Sequence, residues 1–195
     1  MSDYIFTGFD SRFWDGVAQV NHGMKFYIAK MTEADWFENN THKVQLDAAW
    51  RAGMSRGTYH YHRAVASPSA QAKFYCDHLK AYGLDQFAID PILDCEDKNA
   101  PVGLANVTHI ENTADAIEQI LGQPVIIYTA DWYWDAYCKK PLPTKRKIWA
   151  VDWPTHTLVS RPKLPTTGGW VEDDVVCWQK FGDLTRTGWN AKIDI

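Results

Sequence analysis

The chain has 195 residues, 46% apolar and 23% charged, with 20 Lys plus Arg against 24 Asp plus Glu and a formal charge of −4. That length supports a self-sufficient core in a single domain over 1–195, and the mild acidity excludes binding driven by phosphate neutralisation, so no nucleic-acid partner is expected. No apolar run approaches the roughly 20 residues that cross a bilayer, and the opening Met-Ser-Asp-Tyr-Ile-Phe has no basic region ahead of an apolar one, so the expectation is a protein without membrane insertion, held in the cytoplasm until released.

Taken in chain order, short apolar runs alternate with helical patterns. Residues 4–10 read as a strand ending in Asp10, and 24–30 (M-K-F-Y-I-A-K) as a second strand. The span 35–52 predicts a helix with Trp36, Val44, Leu46, Ala49 and Trp50 as its apolar positions and Gly53 beyond its end. A third strand covers 56–62, and Ser67-Pro68 opens a helix that runs to Tyr82 and is closed by Gly83. A fourth strand lies within 87–96, a long helix spans 101–121 up to Gly122, and P-V-I-I-Y-T (124–129) is a fifth strand followed by a short aromatic helix over 131–137. The pattern then changes. Strands at 147–153, 174–181 and 191–195 are joined without room for helices, and the Pro- and Gly-rich stretch after Pro154 reads as loop.

Repeated β-α units imply a parallel sheet with crossover helices. The predicted fold is α/β, an irregular TIM-like barrel of five β-α units followed by about three further strands with few helices. A regular (β/α)₈ barrel typically takes about 250 residues, and the helix-poor last third accounts for the saving.

Chemistry in such a barrel gathers where the strands end. Strand one ends at Asp10, strand four at Asp94-Cys95-Glu96, and the last strand at Asp194. Side chains alternate along a strand, so Asp94 and Glu96 share one face with Cα atoms roughly 6.6 Å apart, while Leu93 and Cys95 take the other. Crowded carboxylates repel, which leaves one of them protonated near neutral pH. Acids with separated pKa values are what glycosidic bond cleavage needs: one protonates the leaving oxygen, and another supports the positive charge on the sugar. A pair of solvated turn residues is the alternative reading of the D-x-E spacing. Aromatic residues add to the first reading. The chain has 10 Trp, 9 Tyr and 8 Phe, and Tyr59, Tyr61, Tyr128, Trp149 and Trp153 fall near predicted strand ends, where flat rings meet the apolar faces of sugars. Barrel core is the alternative for each ring taken singly.

These pieces together resemble the glycoside hydrolase family 25 lysozymes, the Chalaropsis-type muramidases common among phage endolysins. G-F-D-S-R-F-W-D-G (8–16) is similar to that family's opening G-x-D-x-S-x-W-x-G, with Ser11 one place early. F-Y-I-A-K-M-T-E (26–33), G-T-Y-H-Y (57–61), L-D-C-E (93–96), V-I-I-Y-T (125–129), I-W-A-V-D-W (148–153) and C-W-Q (177–179) follow in the family's order. The closing I-D-I (193–195) matches a late D-x-N region, but lacks the Asn. The resemblance implies hydrolysis of the β-1,4 bond between N-acetylmuramic acid and N-acetylglucosamine in bacterial peptidoglycan, without a cofactor or metal. Glu96 would be general acid and then base. Asp10, Asp94 and Asp194 would be its acidic partners, and Tyr59, Tyr61, Tyr128 and Trp153 would contact substrate. Lys30 and Glu33, at and just past the end of strand two, are further candidates for substrate contact, with a surface ion pair as the alternative reading. Retention of configuration is the implied outcome, either through a carboxylate nucleophile or through the sugar's acetamido group oriented by Asp94. Wall lysins of this kind often carry a separate wall-binding domain, expected here beyond the chain.

Two other readings compete. His60 and His62 stand two apart on one strand, a spacing that can serve a zinc hydrolase, although neither His109 in a helix nor His156 in a loop supplies a third ligand. Without metal, one of the pair is a bonded barrel histidine and the other is exposed. A carbohydrate-binding module that has lost catalysis is the second rival. Lys145-Arg146-Lys147 reads as a solvated turn. The four cysteines (Cys76, Cys95, Cys138, Cys177) lack C-x-x-C spacing and read as reduced, partly buried thiols.

Overall fold

The structure is a computed structural model and describes residues 8–12, 23–85, 89–152, 161–179, 184–185 and 192–193. Seven strands form one parallel sheet in the order β1 (Gly8–Ser11), β2 (Phe26–Glu33), β4 (Ser55–Tyr61), β5 (Ile92–Asp94), β6 (Ile126–Ala130), β7 (Ile148–Val151) and β8 (Val175–Gln179). A two-residue strand, β3 (Phe37–Glu38), pairs antiparallel with the end of β2. The chain closes with β9 (Leu184–Thr185) and β10 (Lys192–Ile193), an antiparallel pair whose second strand lies against β1. Helices α1 (His42–Arg51), α2 (Pro68–Ala81), α3 (Leu104–Leu121) and the short α4 (Asp131–Tyr133) follow β3, β4, β5 and β6. Among the described residues, a 3₁₀ turn at Glu172–Asp174 leads into β8, in keeping with the helix-poor last third. The sheet is a curled, parallel half-barrel with helices on its outer side.

Alternation along each strand sorts the apolar side chains into two layers. Tyr27, Met31, Leu93, Ile127, Ile148 and Ala150 face the helices, where they pack with Leu46, Tyr75, Leu79, Ile110, Ile117 and Trp134. Ile28, Tyr59, Ile92, Tyr128, Trp149 and Val151 face the concave side and fill its interior. Cys95 belongs to the helix-facing layer, so it points away from its neighbours Asp94 and Glu96, as the alternation predicts. Cys76, Cys95 and Cys138 are buried free thiols and Cys177 is half-buried. Burial pushes the Cys76, Cys138 and Cys177 thiols up to about 12, which keeps them unreactive at neutral pH.

The helix ends carry the local signals read above. Pro68 starts α2 after an extended Ser67, and Gly83 and Gly122 lie beyond α2 and α3 with φ of +63° and +68°. This left-handed conformation costs glycine nothing. The aromatic helix expected at 131–137 is α4 continued by a π turn over Trp134–Cys138.

The first predicted helix needs correction. It was expected over 35–52, but the chain reverses at Ala34 (φ +52°) to form β3, and α1 begins only at His42. Asn39 sets that start. Its amide donates to the carbonyl of Lys30, and its Oδ1 accepts from the Thr41 N–H (3.0 Å) and hydroxyl (2.7 Å), an Asx turn that competes with helix before position 41. The buried face is His42, Gln45, Leu46 and Ala49. Trp36, Val44 and Trp50 are instead about 60% exposed. The Lys145-Arg146-Lys147 turn is also corrected: Arg146 is buried among Glu111, Asp115 and Glu118 of α3.

Candidate active site

The site is built by register. Neighbouring strands align Glu33 with Tyr61, Tyr61 with Asp94, Asp94 with Tyr128, and Tyr128 with Trp149. These positions lie at or near the C-terminal strand ends on the concave side. A bulge in β2 makes this possible. The pairing with β4 skips Met31, so that Lys30 aligns with Tyr59 and Thr32 with His60. Without the extra residue, Lys30 and Glu33 would point to opposite faces. With it, both face inward and form a 2.5 Å ion pair.

A band of charge surrounds Tyr61. Lys30 Nζ sits 4.7 Å from its ring centre and the Arg63 guanidinium 4.8 Å away. Arg63 also pairs with Glu33 (2.6 Å) and with Asp97 (3.1 Å). Burial alone would raise the Glu33 pKa, but Lys30 and Arg63 outweigh it and hold the carboxyl below its usual range. Asp97 takes a further bond from the Ala64 N–H at 3.1 Å, so it anchors the loop after β4. Arg63 and Asp97 were not among the predicted site residues. Asp97 directly follows the L-D-C-E motif and Arg63 lies two residues past G-T-Y-H-Y, and nothing in the sequence pairs them.

Asp94 is 5% exposed, and its Oδ1 has no hydrogen-bond partner among the described residues. Burial raises its pKa well above the usual carboxylate range; the charges of Glu96, Asp10 and Glu33 add to this, and Lys30 opposes it. The shift runs in the direction expected for one acid of a crowded group, with burial as its main cause. Glu96, two residues on, is half-buried. Tyr128 stays protonated because burial and the charges of Glu96, Asp10 and Asp94 all raise its pKa. Its hydroxyl donates to Gln179 Oε1 at 2.7 Å, and Gln179 Nε2 donates to both oxygens of Asp10 at 3.2 Å. Asp10, Asp94, Lys30, Glu33, Tyr61 and Tyr128 thus gather with Glu96 on the concave side at the strand ends, and Tyr59 lies two residues deeper, in the concave core. Asp194 and Trp153 lie outside the described residues.

The histidines are structural. Gln71 gives its amide hydrogens to the carbonyls of Arg63 and Ala66, so its Oε1 accepts, taking the Arg63 N–H and the Nε2–H of His60. The other nitrogen of His60 accepts from the Thr32 hydroxyl at 2.8 Å. Both nitrogens are engaged behind the sheet, leaving no lone pair for zinc. His62, expected to be exposed, is fully buried. It donates to His109 Nδ1 at 2.7 Å, while His109 Nε2 donates to the carbonyl of Ala66. Among the described residues no group of three or more His, Cys, Asp and Glu could hold a metal ion. Burial lowers the His60 pKa to about 4. The folded state therefore binds fewer protons at this site than the unfolded chain, and stability present above about pH 6.5 is lost as pH falls towards 4. Denaturant midpoints are expected to drop steadily between pH 6.5 and 4.5, and a flat profile there would contradict a neutral buried His60.

Acids and aromatic rings gathered at the C-terminal ends of a curled parallel sheet make a hydrolase-type site of the acid–base kind. Residues 9–183 match the model for glycosyl hydrolases family 25, and the chain belongs to that family. It is 25% identical over 172 residues to lysozyme M1 of Streptomyces globisporus, which covers 82% of this chain and 57% of that one. It is also 25% identical over 184 residues to the N,O-diacetylmuramidase of Arthroderma benhamiae, covering 90% and 74%. The spore cortex lytic enzyme SleM of Clostridium perfringens has the same fold, with a TM-score of 0.78 at 19% identity over 100% of this chain and 67% of that chain.

Proposed function

We propose that the protein is a peptidoglycan hydrolase, an N-acetylmuramidase that cleaves the β-1,4 bond between N-acetylmuramic acid and N-acetylglucosamine. The observation that carries this reading is the buried Asp94, with its unpartnered oxygen, two residues from the half-exposed Glu96 at the mouth of a family 25 sheet. Glu96 protonates the leaving glycosidic oxygen and later takes a proton from water. Asp94 and Glu96 share one proton. In the open site burial favours Asp94 as its holder. A sugar seated over the mouth strips water from Glu96 and presents its acetamido N–H to the free oxygen of Asp94, which moves the proton to Glu96 and leaves the Asp94 anion facing the developing positive charge. Accepting the acetamido N–H, the Asp94 anion orients the acetamido oxygen towards the anomeric carbon, and this favours attack by that oxygen, with retention of configuration. Asp10 adds a further acid to the group, and Tyr59, Tyr61, Tyr128, Lys30 and Glu33 line the path of the glycan; Asp194 and Trp153, outside the described residues, are assigned the same two roles from the family resemblance alone.

On this reading the whole chain is one catalytic domain, an irregular barrel of five β-α units and three further strands. The glycan of the bacterial wall is its partner, and the protein waits in the cytoplasm until released. A wall-binding domain beyond the chain fits its span of 57% of lysozyme M1. Mass spectrometry of peptidoglycan digests tests the assignment. Fragments with reducing-end muramic acid are expected, and their yield should be unchanged by EDTA because both nitrogens of His60 are occupied. Reducing-end glucosamine, freed stem peptides, or loss of cleavage with chelator would each contradict it, and absence of any cleavage would leave the binding-module reading standing.

A further inference from the structure

The proposed chemistry needs Asp10 as a fixed anion beside a proton shared by two other acids, and the fold must supply something to fix it. Asp10 is 6% exposed and sits on β1, one edge of the curled sheet. Gln179 is the last residue of β8, the other edge, and is 1% exposed. No backbone pairing joins β1 to β8 among the described residues. Across that seam, the Gln179 amide nitrogen donates to both Asp10 oxygens, each at 3.2 Å. An amide can face either way round, and its two partners decide this one. An ionised carboxylate can only accept, so Asp10 takes the amide hydrogens, and the Tyr128 hydroxyl, kept protonated by burial and by the charges of Glu96, Asp10 and Asp94, donates to Oε1 at 2.7 Å. The amide oxygen is therefore turned to Tyr128 and the NH₂ to Asp10.

We propose that Gln179 is a positioning residue for the reaction: the one-way chain from Tyr128 through Gln179 holds Asp10 as the ionised member of the acidic group and aims it across the seam. The inference rests on the muramidase reading of Asp10. Its consequence is a division of charge. Asp10 receives a permanent donor, whereas Asp94 Oδ1 has none, so the mobile proton is confined to Asp94 and Glu96. Facing Asp10 are Asp94 from β5, Tyr128 from β6 and Cys177 from β8, each of which feels its charge, and Lys30 and Glu33 of β2 act on Asp94 in turn.

The test is kinetic, with soluble peptidoglycan fragments and reducing-end release. A hydrogen bond to a charged group is lost in Gln179→Met, so kcat is expected to fall roughly ten- to a hundredfold with KM little changed. The acid limb of the kcat/KM profile should move to higher pH, because Asp10 then protonates more readily. The exchange Asp10→Asn with Gln179→Glu reverses donor and acceptor, keeps the seam bonded, and should recover thermal stability without recovering kcat. A wild-type kcat and acid limb in Gln179→Met, with Asp10→Asn inactive, would overturn the proposal while leaving the muramidase reading intact. Recovery of kcat in the exchanged pair would reduce Gln179 to a seam bond and overturn it too. A fully active Asp10→Asn would remove the reading of Asp10 itself, and the proposal with it. Should Gln179→Met fail to fold, Tyr128→Phe keeps the amide but loses the hydroxyl that orients it. A smaller shift of the acid limb in the same direction is then expected, and an unmoved limb would overturn the proposal.

Discussion

Glu96→Gln is expected to leave the fold intact and to cut lysis of cell-wall suspensions by about 10²–10⁴-fold, the usual span of a general acid–base contribution. The amide is isosteric, and Glu96 lies beyond β5 at the half-exposed rim of the mouth, so circular dichroism and the thermal midpoint should stay close to wild type. Wild-type lysis by this variant would exclude Glu96 as the acid. Asp94→Asn should be as damaging to activity but, unlike Glu96→Gln, should change stability with pH. Burial and the neighbouring acids raise the Asp94 pKa in the folded protein. The folded state thus binds more protons here than the unfolded chain, and the stability this carboxyl supplies is fully present below its unfolded pKa and lost as pH rises through the folded one. The asparagine variant cannot ionise. It should match wild type near pH 3 and become progressively the more stable of the two as pH rises above the unfolded carboxyl value of about 4. A site that loses catalysis as it gains stability is a common trade-off; equal stability at every pH would mean that Asp94 is not held neutral.

The sheet and the acid pair were legible because both depend on a two-residue period. Ile92-Leu93-Asp94-Cys95-Glu96 alternates between inside and outside whatever surrounds it, so the separation of Cys95 from the two acids follows from spacing alone. The start of α1 was not legible in this way. Trp36, Val44 and Trp50 mimic a helical stripe, but the reversal at Ala34 and the Asx turn at Asn39 depend on the far edge of β2. The β2 bulge at Met31 is similarly silent in sequence, although it alone brings Lys30 and Glu33 to one face. Gln179 and Arg63 were missed for another reason. Their partners, Asp10 and Asp97, lie 169 and 34 residues away, and a polar residue at a strand end becomes a site residue only when the sheet curls. The strand at 192–193 falls within the predicted 191–195, but its antiparallel partner at 184–185 was not predicted, since a two-residue strand leaves almost no periodic signal.

The largest expected loss of stability comes from the far end of the sheet, at Arg146. This residue precedes β7, at the N-terminal strand ends, where binding residues are not expected. Its side chain is 2% exposed and meets three acids spaced along one face of α3. Glu111 is bonded at 2.8 Å and Glu118 takes two bonds at 2.9 Å, with Asp115 completing the set. The backbone is drawn in as well. The Arg146 carbonyl accepts from the Trp170 indole at 2.9 Å, and Glu118 caps the Val125 N–H at 3.0 Å. Removing the cation leaves Glu111, 7% exposed, as a buried charge without its counter-ion. Breaking a buried pair in this way costs about 3–5 kcal/mol, so Arg146→Met should lower the thermal midpoint on the order of 10 °C. Arg146→Lys keeps the charge but not the forked geometry, and should fall between the two. Specific activity at 25 °C should be unchanged in both, because neither touches the mouth. Replacing Glu111 by Leu alongside Arg146→Met should return part of the loss, since the unpaired charge disappears with it. A midpoint within 2 °C of wild type for Arg146→Met would mean that the cluster is solvated and that α3 is held on the sheet by its apolar face alone.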